Sequence, residues 1–328
     1  MATTSVSLQN TISIIKNDGT PYQGSLQEET VLNLVYRKVP LFAQGFISFF
    51  NKSETEAKPA GTFTTTIPAV AVPHPYSAAK AATKYKAEVV TLRLDNAPSF
   101  KKTNDRRDQF LFRNATTLKG VVLASQMIQA MKYEAARYYK GVMEHFKTQK
   151  AAGVDVLTIM KDSAVPSTNR TALMSEKLET LFEPVRFVMD TFTPNGVPNE
   201  QMVCFLKPSL FRRLKYGVAG QTHVITEIKT ENEITRYAIN GIPVFEDPLL
   251  GKNHLSGSIY EGEAFDLSKL SGIVLTRQAT FHKAGNFFIS ELNMPGTQDF
   301  IQLNTWLSGI AFANAYTSRM AALVSEDL

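Results

Sequence analysis

Residues 115–149 constrain the fold of this 328-residue chain more than any other segment, because an apolar side chain recurs there at every third or fourth position. The repeated positions are Val121, Ala124, Ile128, Met131, Ala135, Tyr138, Val142 and Phe146. This spacing places them on one face of an amphipathic helix. A helix of about 30 residues spans about 45 Å, far more than an average helix. We therefore predict a long helix that must lie across a sheet or along a neighbouring element.

The composition is that of an ordinary globular protein, with 44% hydrophobic and 20% charged residues. It excludes collagen-like, disordered and disulfide-scaffold classes, and the length favours about two domains. The single cysteine, Cys204, excludes an intrachain disulfide and a multi-thiolate zinc site, and it fits a reducing compartment. The first residues lack a secretory signal pattern, and no apolar run approaches the ~18 residues of a membrane span. We expect a soluble intracellular protein.

Charge is distributed unevenly along the chain. Residues 1–150 hold 20 Lys and Arg against 11 Asp and Glu, a balance of +9, whereas residues 151–328 hold 15 against 19, a balance of −4. Such asymmetry is typical of a nucleic-acid face or of two halves that attract each other between copies. Lysines in solvated loops would give the same numbers, so all three interpretations stay open.

The first third of the chain reads mostly as extended or irregular structure. We expect a polar, flexible arm over residues 1–24, then a short helix that the capping box of Ser25 and Glu28 begins and Pro40 ends. Residues 51–82 form a long excursion with strand character broken by prolines, which becomes ordered only against something outside this chain or stays disordered. The strand-like stretches Lys86–Leu94 and Ser99–Thr103 predict a β-hairpin arm.

The second half alternates between strand and helix patterns. Asn240-Gly241 between two β-branched runs is a strong hairpin signal, because both turn residues must take positive φ. The other predicted elements are a helix Thr171–Phe182 stopped by Pro184, a buried strand Met202–Leu206, a helix begun by Pro208, strands Gly272–Phe281, Phe287–Leu292 and Phe300–Asn314, and a last helix Tyr316–Val324.

Motifs that carry catalytic chemistry are missing from the sequence. There is no phosphate-binding loop, no dinucleotide fingerprint and no hydrolase elbow. The five histidines do not pair with each other or with Cys204 at metal-ligand spacing: His74, His145, His223, His254 and His282. The carboxylate pairs fall in polar turns where we expect solvated side chains: Glu231/Glu233, Glu246/Asp247 and Glu261/Glu263. We therefore predict no enzyme, no metal and no cofactor.

Two basic clusters are the remaining candidate site residues. The first comprises Lys101, Lys102, Arg106 and Arg107, and the second comprises Arg212, Arg213 and Lys215. Either cluster could contact phosphate groups or form salt bridges between subunits, and either could be a solvated face. Neither has the interleaved aromatic residues of a base-reading fold.

The order of these elements resembles the major capsid proteins of tailed double-stranded DNA bacteriophages, which have the Hong Kong 97-like fold. Five stretches carry the resemblance. They are residues 86–105 as the strands leading out of an extended loop, 117–145 as a spine helix, 197–214 as an axial-domain turn, strand and Pro-initiated helix, 237–250 as an axial hairpin, and 309–313 as a returning strand.

The resemblance implies an α+β fold with five parts. They are an N-terminal arm and short helix at 1–40, an extended loop with a β-hairpin at 41–114, a peripheral domain with the spine helix at 115–165, an axial domain of mixed α/β structure at 166–270, and return strands with a C-terminal helix at 271–328.

It further implies a structural protein that assembles with itself, through hexamers and pentamers, into an icosahedral head. The head would enclose double-stranded DNA without sequence preference, in the virion, after assembly in the host cytoplasm. Portal, scaffolding or decoration proteins are further implied partners, whereas a membrane is not. Two alternatives remain: an encapsulin-like nanocompartment shell, which holds protein cargo, and an unrecognised soluble oligomeric enzyme.

Overall fold

A computed structural model describes fourteen stretches of the chain. They are residues 12–15, 39–43, 62–68, 87–93, 99–104, 115–153, 159–161, 178–179, 181–188, 195–216, 226–229, 235–276, 279–293 and 300–324. The chain divides into two compact units. The first comprises Met1–Thr62, Leu92–Ala135 and His282–Ile310, and the second comprises Phe63–Thr91, Ala136–Phe281 and Ala311–Leu328.

The predicted long helix is confirmed. Helix α2 runs over Ala115–Ala151, 37 residues, and follows the short α1, Pro40–Ala43. From Met131 onward its predicted apolar face is buried, including Ala135, Tyr138, Val142 and Phe146. The periodicity therefore identified both the helix and the face that packs.

A seven-stranded sheet organises the second unit. Its strands are β5 Ile159–Lys161, β6 Met202–Leu206, β7 Thr226–Lys229, β8 Thr235–Ile239, β9 Ile242–Glu246, β12 Leu270–Thr276 and β15 Met320–Val324. Their order across the sheet is β5-β15-β12-β6-β9-β8-β7. Every residue of β6, β12 and β15 is buried. Strands covered on both faces read as continuous apolar runs, which is why MVCFL was recognisable as a buried strand.

The hairpin between β8 and β9 is confirmed at the residue level. Asn240 has φ 50° and Gly241 has φ 82°, the two positive values that a type I′ turn requires. The side-chain amide of Asn199 donates to the Asn240 carbonyl at 3.0 Å, which fixes the turn from outside.

Helices cover this sheet through a shared apolar cluster. Helix α3, Pro208–Tyr216, begins at the predicted proline and packs beside a helical stretch over residues 178–179 and 181–186. The prediction that Pro184 ends this stretch is wrong, because residues 181–186 stay helical around it. Proline removes one backbone hydrogen bond, but the fully buried Val185 holds the turn in the core.

A four-stranded sheet in the order β1-β13-β14-β4 contains Ile12–Ile15 (β1), Thr280–Asn293 (β13), Phe300–Phe312 (β14) and Ser99–Asn104 (β4). Strand β1 pairs in parallel with β13, so the prediction of a structureless arm is wrong for these four residues. Four residues are too few to give a recognisable strand pattern in the sequence, and β1 is defined by its pairing with β13.

The two strands of the predicted hairpin arm exist, but they do not pair with each other. Strand β3, Ala87–Arg93, pairs with β2, Thr62–Pro68, whereas all six residues of β4 pair with β14. The hairpin interpretation is therefore wrong. The two strands are close in sequence, and neighbouring strands usually pair, which is why the sequence predicts a hairpin. Strand β4 instead pairs with the longer strand β14, about 200 residues away along the chain.

The predicted C-terminal helix Tyr316–Val324 is also wrong. A 3₁₀ helix over Asn314–Arg319 leads into β15, a central strand of the seven-stranded sheet. Short apolar runs such as MAALV cannot be assigned to helix or strand by periodicity alone. The predicted strand Gly272–Phe281 is divided as well, because β12 ends at Thr276 and β13 begins at Thr280.

Smaller elements complete the described chain. A 3₁₀ helix covers Asn199–Gln201, and β10, Asn253–His254, pairs with β11, Phe265–Asp266. The capping box, the short helix before Pro40 and most of the excursion 51–82 lie outside the described residues. The five-part division into arm, loop, peripheral and axial domains stays a prediction.

Candidate assembly surfaces

The first predicted basic cluster is only partly described. The backbones of Lys101 and Lys102 lie in β4, paired with β14. Arg106 and Arg107 lie outside the described residues. The cluster therefore remains a prediction.

The second basic cluster lies on α3, and the amphipathic pattern of that helix explains its position. The apolar face, Leu210, Phe211 and Leu214, is buried against the sheet. Arg212 and Arg213 are exposed on the other side, and Lys215 is half-buried. Burial of the apolar face thus presents the cationic side chains outward.

Two of the three cations on α3 interact within the same unit. Arg212 Nη2 lies 3.3 Å from Glu246 Oε1, and Lys215 Nζ lies 4.5 Å from the centre of the Tyr237 ring. In the described part of the chain Arg213 has no ion pair. The Arg212 side chain is 67% exposed, and an ion pair that exposed is worth only about 0–1 kcal/mol. It can be exchanged readily for an outside carboxylate or phosphate.

Asp247 was expected to be a solvated turn residue, and this expectation is wrong. Its side chain is fully buried at the end of β9. Tyr139 of α2 donates its hydroxyl hydrogen bond to Asp247 Oδ2 at 2.6 Å, and the Leu249 amide donates to Oδ1 at 2.9 Å. His254 Nε2 in turn donates to the Leu249 carbonyl at 2.9 Å.

Burial governs the electrostatics of this group. It raises the pKa of the Asp247 carboxyl above the ordinary value of 3.8, while the hydrogen bonds from Tyr139 and Leu249 and the nearby His254 oppose that rise. Burial also raises the pKa of Tyr139 well above its ordinary value, and the Asp247 charge adds to the effect. Tyr139 therefore stays a protonated phenol and donates. The arrangement fixes the turn after β9 on the long helix.

The excursion that Asp247 begins, residues 247–269, is also anchored at its far side. Lys140 Nζ contacts Glu263 Oε1 at 2.9 Å and lies 5.6 Å from the centre of the Phe265 ring. Between these anchors the loop is closed by its own hydrogen bonds, including Gly257 N to the Tyr260 carbonyl at 2.9 Å. Leu255 lies in this loop with 72% of its surface exposed. These contacts hold the loop in one conformation, in which the Leu255 side chain is exposed.

The other candidate reactive groups have structural surroundings. Cys204 is fully buried in β6, and burial raises the pKa of its thiol. His145 lies on α2 as predicted, stacked on Phe312, with Nε2 at 2.9 Å from Thr317 Oγ1. No group of three or more His, Cys, Asp or Glu side chains that could hold a metal occurs among the residues described. In that same part of the chain, no helix is long and apolar enough to cross a membrane.

Neither a family model nor a curated protein matches the sequence. Comparison of the folded chain with solved structures, in contrast, gives several matches. A structure from Mycobacterium phage Che8 has a TM-score of 0.54 at 9% identity, covering 85% of this chain and 90% of that chain. The capsid of Ralstonia phage GP4 has a TM-score of 0.53 at 10% identity, covering 84% and 87%. The mature capsid of bacteriophage PhiM1 has a TM-score of 0.52 at 9% identity, covering 85% and 84%.

These matches span most of both chains, so they concern the whole fold and not one motif. Identities near 10% show the fold alone. The chain is an α+β protein with the capsid fold of these phage structures, the fold that the sequence resemblance implied.

Proposed function

We propose that this protein is the major capsid protein of a tailed double-stranded DNA bacteriophage, a structural subunit without catalytic activity. The observation that carries the proposal is the fold match over more than four-fifths of the chain to structures described as phage capsids. The burial of Cys204 and Asp247 agrees with a structural protein, because both groups are fully buried and a reactive group must meet its substrate.

Shell formation would proceed by repeated contacts between identical copies. Each contact can be modest, because cyclic closure into hexamers and pentamers makes every further contact intramolecular. The exposed tip of the 247–269 excursion and the β2–β3 pair are the segments we assign to such contacts. The opposite balances of +9 and −4 in the two halves of the sequence favour attraction between neighbours.

The basic clusters are proposed as contacts with a neighbouring copy or with the DNA backbone. The α3 cluster is the better supported, because Arg213 is exposed and the Arg212 ion pair is easily exchanged. Lys101, Lys102, Arg106 and Arg107 are proposed in the same role from their sequence alone. Contacts of this kind are independent of base sequence and weaken with salt. The mature location would be the virion, with portal and scaffolding or decoration proteins as further partners.

Sedimentation of the full-length protein tests the proposal, with nuclease-protected nucleic acid measured in each fraction. A major capsid protein should sediment as hexamers, pentamers or closed shells, and particles from infected cells should protect double-stranded DNA. A shell that holds protein and no nucleic acid would replace the phage assignment with an encapsulin-like one. A small, discrete oligomer at all concentrations and salts would contradict both.

A charge-neutralising variant of α3 tests the role of the cluster. Replacing Arg212, Arg213 and Lys215 by Gln should lower either the yield of particles or their DNA content, and the loss should be largest at low salt. The matched control replaces Lys147 and Lys150, exposed lysines near the end of α2 and outside the segments assigned to contacts between copies, by Gln. Equal effects of the two variants would contradict a specific role for α3.

A further inference from the structure

Glu88 makes an unusual pair of hydrogen bonds across a long sequence distance. It lies in β3, where it is half-buried, and its two carboxylate oxygens accept from two consecutive backbone amides. Asn314 N donates to Oε1 and Ala315 N donates to Oε2, each at 2.7 Å. Hydrogen bonds to a carboxylate are shorter and stronger than neutral ones. The first amides of a helix have no acceptor within it, so this side chain satisfies two donors that the 3₁₀ helix Asn314–Arg319 leaves open.

The segment that Glu88 contacts is itself held firmly from the side of α2. Gln149 donates its side-chain amide to the Asn314 side-chain oxygen, and His145 contacts Thr317 at 2.9 Å. Arg319 is almost fully buried, with its guanidinium 5.0 Å from the centre of the Tyr316 ring. Asn314–Arg319 therefore forms a fixed platform, followed directly by the buried strand β15.

Among the described side chains, the apolar contact between the β2–β3 pair and this platform involves one residue of each strand. The cluster consists of Ile67 and Val90 from the pair, with Ala313 and Tyr316 from the platform side, and Phe281 and Ala311 at its edge. By contrast, seventeen buried residues in the described part of the chain form the cluster that holds α3 on the seven-stranded sheet. Apolar burial is non-directional, whereas two hydrogen bonds accepted by one carboxylate fix an orientation.

We propose that Glu88 is a positioning residue for assembly. Its carboxylate sets the orientation of the β2–β3 pair on its own subunit, so that the pair meets a second copy in one geometry. The exposed Val89, with 60% of its surface accessible, and the exposed Thr91 belong to the surface that is presented in this way. The inference rests on the proposed function, because orientation matters only if a second copy is the partner.

The test compares Glu88→Ala and Glu88→Gln with the control Glu183→Ala, which removes an exposed carboxylate from residues 181–186 of the same unit. Three quantities are measured on full-length protein: Tm, amide hydrogen exchange in peptides covering Asn314–Arg319 and Ala87–Arg93, and the yield of closed particles. For Glu88→Ala we expect at least tenfold faster exchange at the Asn314 and Ala315 amides, at least tenfold fewer closed particles, and a Tm within about 3 °C of the parent protein. Glu88→Gln keeps one acceptor oxygen and should recover part of the yield.

The outcomes separate this inference from the proposed function. Normal particle yield for Glu88→Ala, or a yield that falls only in proportion to Tm across the three variants, would overturn the positioning role. Unchanged exchange at Asn314 and Ala315 would overturn it in isolated subunits as well. If the parent protein never forms rings or shells, the proposed function fails, and the exchange measurement still decides whether Glu88 holds the β2–β3 pair.

Discussion

A carboxylate holds each of two segments in the second unit, but the two carboxylates differ in their surroundings. Asp247, at the start of the 247–269 excursion, is fully buried and accepts from the Tyr139 hydroxyl and the Leu249 amide. Glu88, on β3, is half-buried and accepts from two backbone amides of one short helix. Both groups join sequence-distant parts of the chain, and they differ in how deeply they are buried.

The difference in burial decides what each carboxylate can do. Removing a fully buried acceptor leaves buried donors without partners, which lowers the free energy of unfolding. Asp247 therefore stabilises the folded unit. At the half-buried Glu88, water can replace a lost acceptor, so its removal frees the orientation of one segment at a small cost in stability. In a shell subunit, an anchor like Asp247 would stabilise the folded body. An anchor like Glu88 would set the orientation of a surface segment separately.

The largest expected effect follows from removing the buried carboxylate. Asp247→Ala should lower the free energy of unfolding by about 2–4 kcal/mol, because the Tyr139 hydroxyl and the Leu249 amide both lose their acceptor. Urea denaturation of the subunit measures the change. The control Glu246→Ala, at the neighbouring half-buried position, should cost less than about 1 kcal/mol. Similar losses for both variants would break the distinction between buried and half-buried anchors.

A smaller effect is expected from the donor side. Tyr139→Phe removes one hydrogen bond to a buried carboxylate and should cost about 1.5–3 kcal/mol. Tyr138→Phe is the matched control, since the Tyr138 side chain is equally buried and its hydroxyl shares a neutral hydrogen bond of 3.0 Å with Thr280. That variant should cost about 1 kcal/mol. An equal loss at the two tyrosines would show that the charge on Asp247 adds nothing.

The smallest effect is a pH dependence. Burial raises the pKa of Asp247 in the folded chain above the ordinary 3.8, so the folded state binds the proton more tightly than the unfolded state does. Its contribution to stability is therefore largest below pH 3.8 and falls as the pH rises through the folded pKa. Asp247→Asn cannot titrate, so the stability of the parent protein relative to this variant should decrease as the pH is raised. Thermal unfolding between acidic and neutral pH measures this difference, and a constant difference would contradict the assigned burial effect.

Local signals in the sequence predicted the elements that depend on local chemistry. The Asn240-Gly241 turn was identified because only a few residue types take positive φ, and Pro208 was identified because a first helical turn needs no amide there. The long α2 was identified because its apolar period persists over many turns. None of these elements depends on a partner far along the chain.

The features that the sequence did not reveal all depend on distant partners. The sequence predicts a helix at β15 because five apolar residues fit either structure until β12 pairs with them. It predicts the wrong partner for β4 because β14 follows almost two hundred residues later. It predicts a solvated Asp247 because the donor to this carboxylate, Tyr139, lies 108 positions away. Glu88 carried no signal at all, since its acceptor role is defined by two backbone amides and no side-chain motif.

Under the proposed function, copies of this chain build a closed shell. Negative-stain electron microscopy of the purified protein, alone and from infected or expressing cells, tests this proposal most directly. We expect closed shells tens of nanometres across, or hexamer and pentamer rings on the way to them. A compact dimer or tetramer that never forms rings or shells would contradict it.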